Sequence, residues 1–274
     1  MEKLIAQLNR LYLPRGEISP DELLRHLRGE QTTSVSLAAP DRHLRAVMIP
    51  FDRMARNDEL DHWHQLCAVA NVLHADLELP TPAVSVSGNK GYGLWMSFET
   101  PMPMERVSRF LDLLRKAYFP DMALPPNVLD APVEIPPCLN QHTGKWAAFI
   151  HPGMGASFAE DAGLEMAPPP AGQVAFLEHL ESIGSERFAQ ALDILQRAID
   201  THASGVATST PPVEAASPGK QSAASGSTPA DDLLLKDATL EDIVRFLHAR
   251  NIEPTFRHLI PRQDSHKGSQ QDEP

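Results

Sequence analysis

Apolar side chains recur along this chain with two different periods. Around residues 81–98, TPAVSVSGNKGYGLWMSF, they flank a polar, glycine-rich turn: Ala83, Val84 and Val86 before it, Leu94, Trp95, Met96 and Phe98 after it. This predicts two adjacent strands, 83–87 and 92–98, joined by a tight turn at 88–91. Glycines at 88, 91 and 93 suit unusual backbone angles and the close approach of another molecule. Helical spacing appears elsewhere. Leu4, Ile5, Leu8 and Leu11 share one side of a helix over 3–13. Leu66, Ala70 and Leu73, with Trp63 and Val69 beside them, mark a helix that starts at Asp58 or Asp61. Val107, Leu111 and Leu114, with Phe110 alongside, mark one over 104–118. Phe188, Leu192, Leu195 and Ile199 mark one over 185–202, preceded by another near 172–183. Ser19, Pro20 and Glu22 form a capping-box start for a helix that runs to about Arg28. Strands are expected at 33–39, 44–51, 132–139 and 145–150, the last two joined at 140–144. The order of strand, helix, hairpin, helix, hairpin predicts an α+β fold with a mostly antiparallel sheet and flanking helices, not alternating βαβ units.

Composition then divides the chain. Residues 1–158 read as one α+β domain, and 159–202 as a helical extension whose first part, to 172, is rich in Gly, Ala and Pro. Residues 203–230 are Ala, Ser, Thr, Pro and Gly with almost no large apolar group, which predicts a disordered linker. Residues 231–262 regain helical pattern, with Thr239 as a cap, and form a small unit suited to a protein partner. Residues 263–274 are a polar tail.

Net charge is −12, unevenly spread. Residues 1–158 hold 15 Lys/Arg and 18 Asp/Glu, against 9 and 18 in 159–274. This balance argues against broad electrostatic binding to nucleic acid and leaves room for a local basic cleft in the first part. The longest apolar runs fall short of a membrane span, and the start, MEKLIAQLNR, lacks a signal-peptide core, so a cytoplasmic protein is expected. Cys67 and Cys138 make neither a disulfide framework nor a CxxC pair. His62 and His64 lack the ligand spacing of a zinc site.

Three groups of residues carry candidate chemistry. Asp52 closes the apolar strand LRAVMIPF, where a carboxylate can face a cleft and hold a divalent cation, or simply cap the following turn. Two-metal chemistry needs converging carboxylates, and Asp58, Asp61, Asp130 and Glu134 are the available partners. Ser85 and Ser87 share one face of a strand, and with Lys90 and the turn amides they suit an anion such as the triphosphate of a nucleotide. The same residues also suit a plain solvent-facing hairpin. In the turn 140–145, His142 and Lys145 can meet phosphate, or the turn can be only a turn.

The run AVMIPFDRM, the following helix and PAVSVSGNKGYGLWMSFETPMP resemble the catalytic core of the archaeo-eukaryotic primase (primase-polymerase) superfamily, over about residues 44–150. In that family a strand carries two metal-binding acids. Asp52 matches one, and Met54 stands in place of the other. The second motif is matched by Ser85, Ser87, Gly88, Gly91 and Trp95, while Gly93 replaces its nucleotide-contacting histidine. VEIPPCLNQHTGKWAAFI resembles a later segment of such proteins, with Glu134 near the place of a third acid. The resemblance implies a primase-polymerase-like core with a helical C-terminal extension, and a protein of DNA replication of plasmid or mobile-element type. It also implies nucleotidyl transfer with Mg²⁺ or Mn²⁺ on Asp52 with Asp130 or Glu134. Nucleoside triphosphate would lie on Ser85, Ser87, Lys90, His142 and Lys145, beside single-stranded DNA or RNA.

Three functions follow. One is an active primase-like enzyme. Another is a degenerate primase fold that binds single-stranded nucleic acid or a replication partner, as Met54 and Gly93 suggest. The third is an unrelated α+β assembly protein, as the acidic charge and the linker suggest.

Overall fold

The computed structural model describes residues 1–52 and 61–205. The linker beyond Gly205, the unit 231–262, the tail and the alternative helix start at Asp58 lie outside the described residues.

Five strands form a curled antiparallel sheet in the order β2-β4-β3-β7-β6: β2 (His43–Asp52), β3 (Ala83–Val86), β4 (Gly91–Pro103), β6 (Cys138–Leu139) and β7 (Trp146–Ile150). A two-stranded ribbon pairs β1 (Ser34–Val35) with β5 (Val133–Glu134). Around the sheet lie α1 (Glu2–Leu11), α2 (Pro20–Leu27), α3 (Asp61–Asn71), α4 (Met104–Tyr118), α5 (Pro170–Glu178) and α6 (Ser185–Gly205). Among the described residues no helix is long and apolar enough to cross a membrane.

The expected α+β architecture with an antiparallel sheet is present, with three local differences. The strand expected over 132–139 splits. Pro136 and Pro137 lack the N–H that a ladder requires, so Val133–Glu134 pairs with β1 while Cys138–Leu139 joins the main sheet beside β7. The strand expected over 33–39 shrinks to two residues. The helix after Asp61 ends in a π-helical turn, Val72–Asp76. The Ser19 capping box forms: the Ser19 hydroxyl accepts the Glu22 N–H, and the Glu22 carboxylate accepts the Ser19 N–H.

Both faces of the sheet are covered, which is why Gly91 through Phe98 are all buried. On one face Tyr92 meets His62 and Trp63 of α3, and Phe98 meets Phe188 of α6. Strand side chains alternate, so Trp95 looks the other way, against Tyr12 and Phe149 at ring distances of 5.2 and 5.8 Å. That aromatic cluster closes one end of the second face. The other end is open.

His26 ties α2 to the small ribbon. Its Nδ1 accepts the Thr33 N–H at 3.0 Å and its Nε2 donates to the Ile135 carbonyl at 2.8 Å. Burial lowers its pKa from the ordinary 6.5, outweighing the Ile135 carbonyl and the Glu134 charge, which act upward. The unfolded chain therefore takes up this proton at higher pH than the folded one. The contribution of His26 is complete above pH 6.5 and is lost as pH falls from there toward the folded-state pKa. Urea midpoints measured from pH 7.5 to 5 should decline over that window, and less steeply in His26→Gln. Parallel curves for the two proteins would contradict the assignment.

Candidate functional site

The open end of the second sheet face is a cleft of about 410 Å³. Its floor is the face that carries Pro50 and Asp52 on β2, Gly93 on β4, and Ser85 followed by Ser87 at the end of β3. Pairing sets these side by side: Pro50 lies opposite Gly93, Gly93 opposite Ser85, and Asp52 opposite Gly91. Its roof is the proline-rich segment through Pro125 and Pro132, with the β1/β5 ribbon. The cleft gathers Asp52, Ser85, Ser87, Lys90 and Glu134, which sequence reasoning singled out from three separate stretches.

Ser87 organises the turn. Its hydroxyl oxygen accepts the N–H groups of Asn89, Lys90 and Gly91 at 3.2, 2.9 and 3.0 Å. The Gly88 N–H donates instead to the Ala162 carbonyl at 2.7 Å. The turn amides are therefore not open to an anion, contrary to expectation, because a serine oxygen and a carbonyl already occupy them. With three N–H donors on one oxygen, the acceptor capacity of the Ser87 hydroxyl is used within the turn, which leaves its O–H as a donor. Lys90 is exposed, and among the described residues its ammonium makes no ion pair.

Ser85 is buried, and its oxygen accepts the Trp95 indole N–H at 2.8 Å. This bond fills the space at Gly93. A Cβ there would lie 2.9 Å from both Ser85 Oγ and Trp95 Nε1. Gly91 is bare for a similar reason, since a Cβ would lie 2.2 Å from the Phe51 carbonyl. Only Gly88 of the three has a left-handed backbone, with φ +71°. Gly91 and Gly93 thus make room for the chain's own backbone and side chains.

The other candidates lie elsewhere. Asp130 borders a neighbouring groove along α4, 4.0 Å from Arg42. His142 is exposed in a turn closed by Asn140, whose side chain accepts the His142 and Thr143 N–H groups. Lys145 sits just outside the cleft lining, paired with Asp161 and with Glu165 at 3.4 Å. The hydrogen bond it donates to the Asp161 carboxylate raises its pKa above the ordinary value.

The expected Mg²⁺ or Mn²⁺ site on Asp52, Asp130 and Glu134 is overturned. Among the described residues no group of three or more His, Cys, Asp or Glu side chains is placed to hold a metal ion. Asp130 is drawn toward Arg42 in the next groove, which leaves Asp52 and Glu134 as the two carboxylates of that set on the cleft. Hard divalent cations take several oxygen ligands, and this set does not converge. The cysteines are not activated either: burial raises both thiols, Cys138 to about 12.

Sequence reasoning missed the roof. Pro125, Val128 and Pro132 carry no chemical signal, and only the fold brings them over the hairpin. A scan against protein-family models finds no match for this chain, and a search of curated proteins finds none.

Proposed function

We propose that this protein is a divergent, primase-like domain whose cleft binds a nucleotide. The observation that carries this reading is one cleft holding two kinds of polar group at opposite character. Lys90 and the Ser87 hydroxyl are donors suited to phosphate. Asp52 and Glu134 are acceptors suited to the hydroxyls of a ribose or the amino group of a base. Proline side chains and Trp95 supply apolar walls for a flat ring. The volume of about 410 Å³ lies within the roughly 300–1,000 Å³ usual for small-molecule sites, which favours a nucleotide over a long strand. The primase-polymerase resemblance of SVSGNKGYGLW adds to the reading. No catalytic step is assigned to the cleft.

Calorimetric titration of the full chain with ATP in EDTA tests it. Binding should appear without divalent ions, weaken with salt, and weaken roughly tenfold in Lys90→Ala, the factor that ~1.4 kcal/mol of lost charge-assisted contact gives. A folded wild type that gives no heat with ATP would refute the reading. Binding unchanged by Lys90→Ala would do so equally. A single-stranded oligonucleotide that binds without competition from ATP would move the function to another surface.

A further inference from the structure

Residues 159–166 pack against the hairpin turn at Gly88 and against Trp146, next to the cleft-lining Ser87 and Ala147. Their backbone is tied down on both sides: the Ala162 carbonyl accepts the Gly88 N–H at 2.7 Å, and Leu164 exchanges two hydrogen bonds with Trp146 at 2.8 and 3.0 Å. Contact is so close at Gly163 that a Cβ would stand 2.8 Å from Lys145 Cβ and 3.0 Å from Gly88 Cα. From this strap Asp161 and Glu165 reach the Lys145 ammonium. Lys145 lies two residues before Ala147, which lines the cleft, and its carbonyl approaches Gly88. Lysine, strap and turn thus meet beside Ser87 and Lys90.

The partners of this lysine are what a phosphate would be: negatively charged oxygens on the ammonium, next to a backbone amide that is itself capped by an oxygen. Both carboxylates are largely exposed, with side chains 53% and 81% accessible. Exposed ion pairs are weak and readily exchanged. We infer that the 159–166 strap is autoinhibitory, with Asp161 and Glu165 standing in for ligand phosphate and withholding Lys145 from the cleft until a triphosphate displaces them. The identity of that ligand rests on the nucleotide reading given above; the strap itself is a separate device.

The test uses the full chain in EDTA, with ATP and with inorganic triphosphate as probes. In the variant Asp161→Asn with Glu165→Gln, both probes should bind about fivefold tighter, the scale set by losing two exposed ion pairs. Adding Lys145→Ala should cancel the gain. A matched neutralisation on α6, Glu186→Gln with Asp193→Asn, should produce no gain. If ATP binds wild type through Lys90 and the strap variant binds no tighter, the strap inference falls and the nucleotide reading stands. If ATP fails but inorganic triphosphate shows the gain and its cancellation, the strap stands and the nucleotide reading falls. An equal gain from the α6 control overturns the strap, since net charge alone then explains it. A folded protein that binds neither probe in any form overturns both.

Discussion

Gly93→His should destabilise this protein by roughly 2–6 kcal/mol and should weaken nucleotide binding rather than create it. The substitution places here the histidine that the resemblance to primase-polymerases would lead one to expect. The structure has no room for it. A Cβ meets Ser85 Oγ and Trp95 Nε1 at 2.9 Å each and Met48 Cγ at 3.4 Å. Accommodating the ring means parting the Ser85–Trp95 hydrogen bond inside a buried site. Overpacking costs about 1–3 kcal/mol, and a buried donor left without its partner about 1–3 more. Trp95 is also held by Tyr12 and Phe149, so it cannot turn aside without disturbing the aromatic cluster. Urea unfolding and ATP titration of the variant check this. A variant as stable as wild type that binds ATP more tightly would contradict this expectation.

Phe188→Ala should cost about 3–5 kcal/mol, the usual range for truncating a buried aromatic ring. Phe188 lies in the first turn of α6 and is 1% exposed. Its ring lies 5.4 Å from that of Phe98 on β4 and 5.1 Å from that of Phe110 on α4, with the Arg106 guanidinium 5.7 Å from its centre. The side chain therefore joins the helical extension to the sheet and to α4 in one contact. Removing it leaves a cavity among three elements that cannot all move inward. The expected result is a lower urea midpoint with unfolding still in a single step, followed by tryptophan fluorescence. A loss below about 1 kcal/mol would mean that the site collapses freely, in which case α6 is only loosely attached.

Much of the fold was readable from local pattern. The capping box at Ser19, the helix Met104–Tyr118 and the SVSGNKGYGLW hairpin all depend on residues near one another in sequence, and periodicity reports such contacts directly. The split of 132–139 was readable in principle, because Pro136 and Pro137 cannot donate to a ladder; which sheet each half joined was not. The site was legible in its residue types and illegible in its bookkeeping of hydrogen bonds. Ser85, Ser87 and Lys90 line one cleft with Asp52 and Glu134. That Ser87 would absorb the turn amides, and Ser85 the Trp95 indole, depends on atoms within 3 Å of each other across strands, and no spacing rule contains that. The same holds for Lys145. Its place beside the hairpin follows from β7, but its carboxylate partners come from a loop with no periodic pattern.

The sequence by itself therefore determined the elements and the list of polar groups capable of meeting a ligand. Tertiary structure decided which of those groups share a cleft, which are spent on the protein's own backbone, and that Asp130 stands apart from Asp52 and Glu134. The physical reason is range. Propensity, capping and alternation act over a few residues along the chain, whereas the vacancy of a hydrogen-bond donor or the convergence of carboxylates is fixed by elements more than 100 residues apart, as the His26 to Ile135 bond is across 109 positions.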